Sequence, residues 1–199
     1  MEPDTQSYVA VMTELKRRIS VIDGFLNGQC NALYREAGVE AMVLQIRLTL
    51  ELIALGSIAV NKSLFEQNRK KFADHWNLAD ILRDVKKLNP HFYPKPVKDT
   101  PSSQLGIKAH LDDIKDGFLR ENELVEIHGR CGNLLHASNP YGKHRDYDSF
   151  ERVLPSWRGR IVKLLDTHLI RLLDDDRIYL VQMDVQGKPS VSTFQRRGA

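Results

Sequence analysis

The sequence predicts an all-α fold, a helical bundle of roughly five to seven helices that ends in a C-terminal β-hairpin. Apolar residues recur at spacings of three and four over most of the chain up to Leu173, which is typical of amphipathic helices. Apolar and polar residues alternate only after Asp176, which is typical of strands. We therefore expect residues 1–176 to form a helical bundle and residues 177–199 to form a hairpin appendage with a basic tail.

The composition is that of an ordinary soluble globular protein. Hydrophobic residues make up 42% of the 199 residues, and charged residues make up 28%. A net charge of +3 is too weak to indicate a nucleic-acid partner by itself. Cys30 and Cys131 are far apart and form no CxxC pair, so neither a disulfide scaffold nor a zinc site is indicated.

The N-terminal segment, MEPDTQSYVAVM, lacks the basic start and the apolar core of a secretion signal. The most apolar stretch, Ala41–Val60, carries Arg47 and Glu51 near its middle. Charges at that depth favour a buried core helix over a membrane span. We expect a cytoplasmic location and no membrane partner.

Two long helices are predicted in the first part of the chain. Ser7–Leu26 places its apolar residues on one face, and Asn27-Gly28 follows as a stop signal. Val39–Val60 is apolar nearly all round, which predicts the central helix of the bundle.

Capping residues predict two shorter helices after these. Ser63 and Glu66 form a capping box that starts a helix running to about His75. Asn77 then caps a helix over Leu78–Leu88, whose apolar residues lie on one side.

The segment Asn89–Gln104 contains several prolines and small polar residues, which predicts a long loop without regular structure. A helix is expected over Leu105–Phe118.

The last part of the chain predicts two helices and then the hairpin. The helices cover Glu121–His136 and about Asp148–Leu173, with a turn at Asn139–Gly142 between them. The alternation from Ile178 to Phe194 predicts the hairpin, which needs a packing partner because an isolated hairpin is only marginally stable.

Arg130 and His136 form the most informative pair in the sequence, six residues apart near the end of a predicted helix. A histidine can transfer a proton near neutral pH, and an arginine can hold a phosphate with a forked, permanent positive charge. Arg69…His75 is a second match, so spacing alone does not identify a site.

The surroundings favour Arg130 and His136 over the second match. Cys131 and Gly132 are small, which would let a substrate or another backbone approach, and a polar turn follows the helix end. The same small residues are also compatible with tight helix packing alone.

The chain resembles the HEPN superfamily in its expected all-helical class and size, and in RCGNLLH closing a late helix before the polar turn ASNPYG. Members are helical bundles, often dimeric, and many are metal-independent ribonucleases. Their motif is an arginine, a polar residue, a few variable positions and a histidine, and Arg130 and His136 match its ends. The resemblance extends loosely over Ser7–Leu173 and leaves the hairpin outside.

The resemblance implies an RNA endonuclease, a toxin or a defence component, that acts as a homodimer with two Arg–His pairs in one cleft. His136 would then be the general acid or base, and Arg130 would stabilise charge on the phosphate. Asn133, Ser138 and Asn139 would position the substrate. No metal or other cofactor is expected, and a regulatory protein partner is compatible with a toxin.

Cys131 departs from the motif, because active members carry Asn, Asp or His after the arginine. Some members keep the fold and only bind, so the alternative is a non-catalytic helical module that binds a protein or nucleic-acid partner. Arg47 and Glu51, four residues apart, are either a buried ion pair that fixes helix packing or a pair that supports the Arg–His site.

Overall fold

A five-stranded antiparallel sheet lies beside the helices, so the predicted all-α class is wrong and the fold is mixed α/β. The structure is a computed structural model that describes residues 5–60, 78–103, 109–137, 141–142, 144–172 and 177–195. The predicted helix from Ser63 to His75 and the Arg69…His75 match lie outside these residues.

Five helices are present in the described residues. They are α1 (Thr5–Leu26), α2 (Arg35–Val60), α3 (Leu78–Leu88), α4 (Glu121–Leu135) and α5 (Tyr147–Leu165). The first four agree with the predicted helices to within a few residues at their ends.

The sheet has the strand order β2-β1-β3-β4-β5. Its strands are β1 (Lys95–Pro101), β2 (Ala109–Asp113), β3 (Thr167–Ile170), β4 (Arg177–Val185) and β5 (Lys188–Gln195). Only β4 and β5 fall where the sequence predicts strands.

Strand β1 lies inside the segment predicted as an irregular loop. Prolines argued against a strand there because proline cannot donate to a ladder of hydrogen bonds. The ladder changes partner within β1: Lys95 and Pro96 pair with β3, whereas Val97–Pro101 pair with β2. Pro96 and Pro101 therefore occupy the last positions of their ladders, where a missing N–H disrupts least.

Strand β2 replaces the helix predicted over Leu105–Phe118. Ala109–Asp113 pair with Pro101–Val97 of β1. Gly117 has a φ of 75°, in the left-handed region that interrupts a helix. A Cβ at Gly117 would also lie 2.6 Å from Nζ of Lys163, so a close contact with α5 accompanies this conformation.

The predicted last helix is too long, because α5 ends at Leu165 and the chain continues as β3. His168 and Ile170 of β3 are buried and alternate with the less buried Thr167 and Leu169. The apolar spacing in this part of the sequence fits a helix as well as a strand. Residues 167–170 form a strand because they pair with β1 on one side and with β4 on the other.

The predicted β4–β5 hairpin is confirmed, and it is joined through β4 to β3. Gln186 and Gly187 both have positive φ, at 52° and 85°. Two such residues between the paired Val185 and Lys188 form a type I′ turn, which matches the twist of the flanking strands. The hairpin thus obtains its packing partner from the sheet. The division into residues 1–176 and 177–199 stays a prediction.

The core lies between the helices and one face of the sheet. α1, α2, α4 and α5 contribute most of its buried apolar side chains, including Met12, Leu15, Ile46, Leu50, Leu124, Ile161 and Leu164. On the sheet, His168 faces Val181 and Ile170 faces Tyr179 across the β3–β4 ladder, and all four are buried. Directly opposed residues of an antiparallel pair share a face, so these four lie on the face of the sheet that packs on the core.

Among the described residues, the stretch Arg35–Ala59 of α2 is long and apolar enough to cross a membrane by length and composition. A core helix of a globular protein meets the same criteria, and half of the most apolar window of α2 is buried inside the fold. The cytoplasmic location stays a prediction.

A hydrogen bond between Tyr8 and His168 connects α1 to the sheet in the interior. The Tyr8 hydroxyl lies 2.8 Å from Nε2 of His168, and Nδ1 of the same ring lies 2.7 Å from the Leu165 carbonyl oxygen. A carbonyl can only accept, so Nδ1 carries the proton and Nε2 accepts from the Tyr8 hydroxyl. Complete burial lowers the pKa of His168 to about 4, so the ring is neutral.

We expect this histidine to make the fold sensitive to acid. The unfolded chain gains the His168 proton near its ordinary pKa of 6.5, whereas the folded chain gains it only near pH 4. Protons therefore favour the unfolded state, and this contribution to the free energy of unfolding is complete above pH 6.5 and falls as pH drops towards 4. At pH 4 this contribution has lost about 3 kcal/mol of its value above pH 6.5.

Urea denaturation at several pH values would measure the effect, with His168→Gln as the variant that cannot titrate. The variant is expected to be less stable near neutral pH and to lose less stability on acidification than the wild type. His110→Gln, which changes an exposed histidine of β2, should behave like the wild type. Parallel pH profiles for wild type and His168→Gln would contradict the assignment.

Candidate functional site between helices α2 and α4

Helix α4 carries both Arg130 and His136, the latter as its C-terminal cap. At its N-terminus the backbone N–H of Arg120 donates to the Glu123 carboxylate at 3.0 Å, as in the reciprocal half of a capping box. Four apolar residues on one side of α4 are buried: Leu124, Ile127, Cys131 and Leu134. They anchor the helix, so the orientation of the remaining side chains around it is fixed.

Arg130 is held on two aromatic rings of α5. Its guanidinium carbon lies 4.8 Å from the ring centre of Trp157 and 5.8 Å from that of Phe150. Such cation–π contacts use the face of the guanidinium and leave its N–H edges available. Within the described residues, Arg130 has no carboxylate partner, in contrast to Arg158, which donates twice to Asp23 at 2.7 Å.

His136 and Asn133 are exposed on α4. Helical geometry places His136 about 120° around the axis from Arg130 and about 40° from Gly132. The two motif residues thus flank a surface of α4. Ser138 and Asn139, predicted to position a substrate, lie outside the described residues.

Arg47, Glu51 and His128 form a polar cluster at the seam where α2 meets α4. One carboxylate oxygen of Glu51 lies 3.2 Å from Nε of Arg47 and 2.8 Å from Nε2 of His128. A carboxylate accepts both bonds, so Nε2 of His128 carries a proton and donates. The side chains of Arg47 and Glu51 are about one-third exposed, at 32% and 33%, and that of His128 is 14% exposed.

Gly132 is in close contact with this cluster. A Cβ at Gly132 would lie 3.0 Å from Nη1 of Arg47. Arg47 is thus opposite Gly132 while Glu51 is opposite His128, so α2 and α4 run antiparallel along the seam. By the same register, the next turn of α4 carries His136. The glycine lets the guanidinium of Arg47 lie against the α4 backbone.

Cys131, the residue after the motif arginine, faces the core. It is fully buried, and burial raises the pKa of its thiol to about 12. The position that carries a polar residue in active HEPN proteins is therefore not on the surface shared by His136 and Asn133.

In the described part of the chain, no group of three or more His, Cys, Asp and Glu side chains is arranged to hold a metal ion. Two acidic side chains of α2, Glu51 and Glu40, are instead hydrogen-bonded to neighbouring side chains. Two turns before Arg47 on α2, Glu40 accepts from the Tyr147 hydroxyl at 2.6 Å and from Arg145 at 3.3 Å.

Two relations within the site were missed by sequence reasoning. His128 is bonded to Glu51 across the seam, although no pattern in the sequence singled it out. Trp157 and Phe150 were not connected with Arg130. Both relations depend on how α4 aligns with its neighbours, for which the sequence carries no local signal. The Arg47–Glu51 spacing was the one signal that pointed to the seam.

No protein-family model, curated protein or solved structure matches this chain. The resemblance to the HEPN superfamily therefore rests on the sequence pattern alone and stays a prediction. Its expected extent, Ser7–Leu173, contains strands β1, β2 and β3, which the all-helical fold implied by the resemblance does not include.

The two cysteines should differ sharply in reactivity. Cys30 is exposed and Cys131 is buried with a raised pKa, so little Cys131 thiolate exists at about pH 8. A chromogenic disulfide reagent should label one thiol per native chain quickly and the second only after denaturation. A Cys30→Ser variant that reacts rapidly in its native state would show that Cys131 is accessible and that α4 is oriented differently.

Proposed function

We propose that the chain is a metal-independent RNA endonuclease of the HEPN type that acts as a cytoplasmic homodimer. In this role it would be a toxin or a component of a defence system, and a regulatory protein partner would fit such a role. The observation that carries the proposal is the state of Arg130, whose guanidinium is fixed on Trp157 and Phe150 without a carboxylate partner in the described residues.

An arginine held in this way is suited to bind a phosphate. Most of its side-chain freedom is already lost, so less entropy is lost when a ligand binds. Its N–H edges offer the forked geometry that matches two phosphate oxygens. Other arginines of the chain already donate to carboxylates, among them Arg35, Arg158 and Arg160.

The proposed chemistry needs two proton transfers. His136 of one subunit removes the proton from a ribose 2′-hydroxyl, and the 2′-oxygen attacks the adjacent phosphorus. The bond to the 5′-oxygen breaks, and His136 of the second subunit donates a proton to that leaving oxygen. Arg130 stabilises the charge that develops on the phosphate oxygens, and Asn133 positions the strand. The products are a 2′,3′-cyclic phosphate and a 5′-hydroxyl.

The outer face of α2 supports the proposed homodimer. Leu44 and Leu55 are exposed there at 41% and 42%, and Val125 of α4 is exposed at 38%. Large apolar side chains grouped on a surface commonly mark a protein interface. An interface at this face would bring His136 of each subunit near the same region.

A non-catalytic HEPN-like module that binds a protein or nucleic acid is the second candidate function. Burial of Cys131 favours it, because the motif then lacks a polar group at this position. This candidate uses Arg130 and His136 for binding alone.

Cleavage of a labelled single-stranded RNA in the presence of a chelator would test the first function. His136→Ala should lower the rate about 10²- to 10⁴-fold, because proton transfer by a positioned group contributes that much. Arg130→Ala should lower it about 10²- to 10³-fold, and Arg130→Lys should restore only part of the loss. His110→Ala, which removes an exposed histidine far from the motif in sequence, serves as the control.

Equal cleavage by wild type and His136→Ala would contradict the proposed mechanism. RNA binding without cleavage, weakened by Arg130→Ala, would favour the non-catalytic module.

A further inference from the structure

Arg47 has unused hydrogen-bond donors beside the proposed site. Glu51 accepts only from its Nε, and Nη1 and Nη2 have no acceptor within the described residues. Arg158 differs, because its Nε and its Nη2 both donate hydrogen bonds to the Asp23 carboxylate. A carboxylate that holds Nε restrains the guanidinium and leaves the far edge of the fork for another ligand.

The orientation of Arg47 is fixed from two sides. His128 donates to the same Glu51 oxygen, so this carboxylate is itself held in place across the seam. On the other side, Nη1 lies 3.0 Å from where a Cβ at Gly132 would be, so the guanidinium sits close to α4 at this glycine. Glu51 is thus a positioning residue for Arg47, and His128 is a positioning residue for Glu51.

Arg47 also lies on the His136 side of α4. Gly132 is one turn before His136, and the two positions differ by about 40° around the axis. Arg130 is on the opposite side of His136, about 120° away. A strand crossing the C-terminal half of α4 would therefore meet Arg47, His136 and Arg130 in that order.

We infer that Arg47 is a second phosphate-binding residue of this site, which binds the RNA backbone on the side of His136 opposite Arg130. The ligand is a phosphodiester, since a fork of N–H donors recognises its two unesterified oxygens. The inference rests on the proposed function for the identity of the strand, but the phosphate contact can be measured separately.

Binding of a labelled single-stranded RNA, followed by fluorescence anisotropy over a series of salt concentrations, tests the contact. Arg47→Ala should weaken binding about tenfold, the value of one charge-assisted hydrogen-bonded contact. It should also reduce the slope of log affinity against log salt by about 0.7, because one fewer counterion is released. Arg47→Lys should keep the slope and recover part of the affinity.

Two matched controls separate a phosphate contact from general effects. Arg17→Ala removes the same charge from α1, where the side chain is 76% exposed, and should leave the salt slope unchanged. Gly132→Ala should weaken binding because its methyl group would displace Nη1 of Arg47. Gly129→Ala adds the same methyl group to α4 where no atom lies within 4 Å, and should bind like the wild type.

Wild-type affinity and slope in both Arg47→Ala and Gly132→Ala would overturn the inference while leaving the proposed function intact. If the wild type binds no RNA, the proposed function fails instead. In that case titration with inorganic phosphate, followed through the NMR signal of the Arg47 Nε–H group, decides the inference. A saturable shift that is lost in Gly132→Ala supports the phosphate contact, and the absence of a shift overturns it.

Discussion

The hydrogen bond between Tyr8 and His168 is the interaction on which the arrangement of helices and sheet depends. Tyr8 belongs to α1, His168 belongs to β3, and a Cβ at Gly56 of α2 would lie 3.2 Å from the Tyr8 ring. Three elements therefore meet at one buried polar contact. The contact requires a neutral imidazole, since no carboxylate of the described residues is bonded to this buried ring to compensate a positive charge. At the helix–sheet junction, the Tyr8 hydroxyl and both ring nitrogens of His168 therefore have their hydrogen-bond partners inside the protein.

This junction fixes one side of α2, and the opposite side then meets α4 in a defined register. Arg47 lies opposite Gly132 and Glu51 opposite His128, so residues one turn apart on α2 match residues one turn apart on α4. Helices packed in this way hold polar side chains more rigidly than loops do. The seam can therefore support a charged cluster in which the Arg47 and Glu51 side chains stay about one-third exposed. We therefore place the proposed site at this seam, where packing of the core holds polar side chains in position but leaves them partly exposed.

Most helices and the β4–β5 hairpin could be read from the sequence, whereas strands β1, β2 and β3 could not. Apolar spacing predicted α3 at Leu78–Leu88, because the buried side chains of this short helix recur with the period of an α-helix. β1 and β3 depend on pairing between residues more than seventy positions apart, such as Pro96 with His168. No local pattern reports such a pairing, and the prolines of β1 argued against it. The same holds for the site. The spacing of Arg47 and Glu51 predicts that they pair on one helix, but the bond between Glu51 and His128 depends on the α2–α4 register, which the sequence does not indicate.

A double-mutant cycle on RNA affinity between Arg47 and His136 tests the central claim most directly, namely that the seam and the end of α4 form one site. Arg47→Ala, His136→Ala and the double variant are compared, with Arg17→Ala and His136→Ala as the control cycle. We expect a coupling of at least about 0.5 kcal/mol between Arg47 and His136, because residues that share a ligand are not additive. The control pair should be additive. Additivity in both cycles would show that Arg47 and His136 do not act on the same strand.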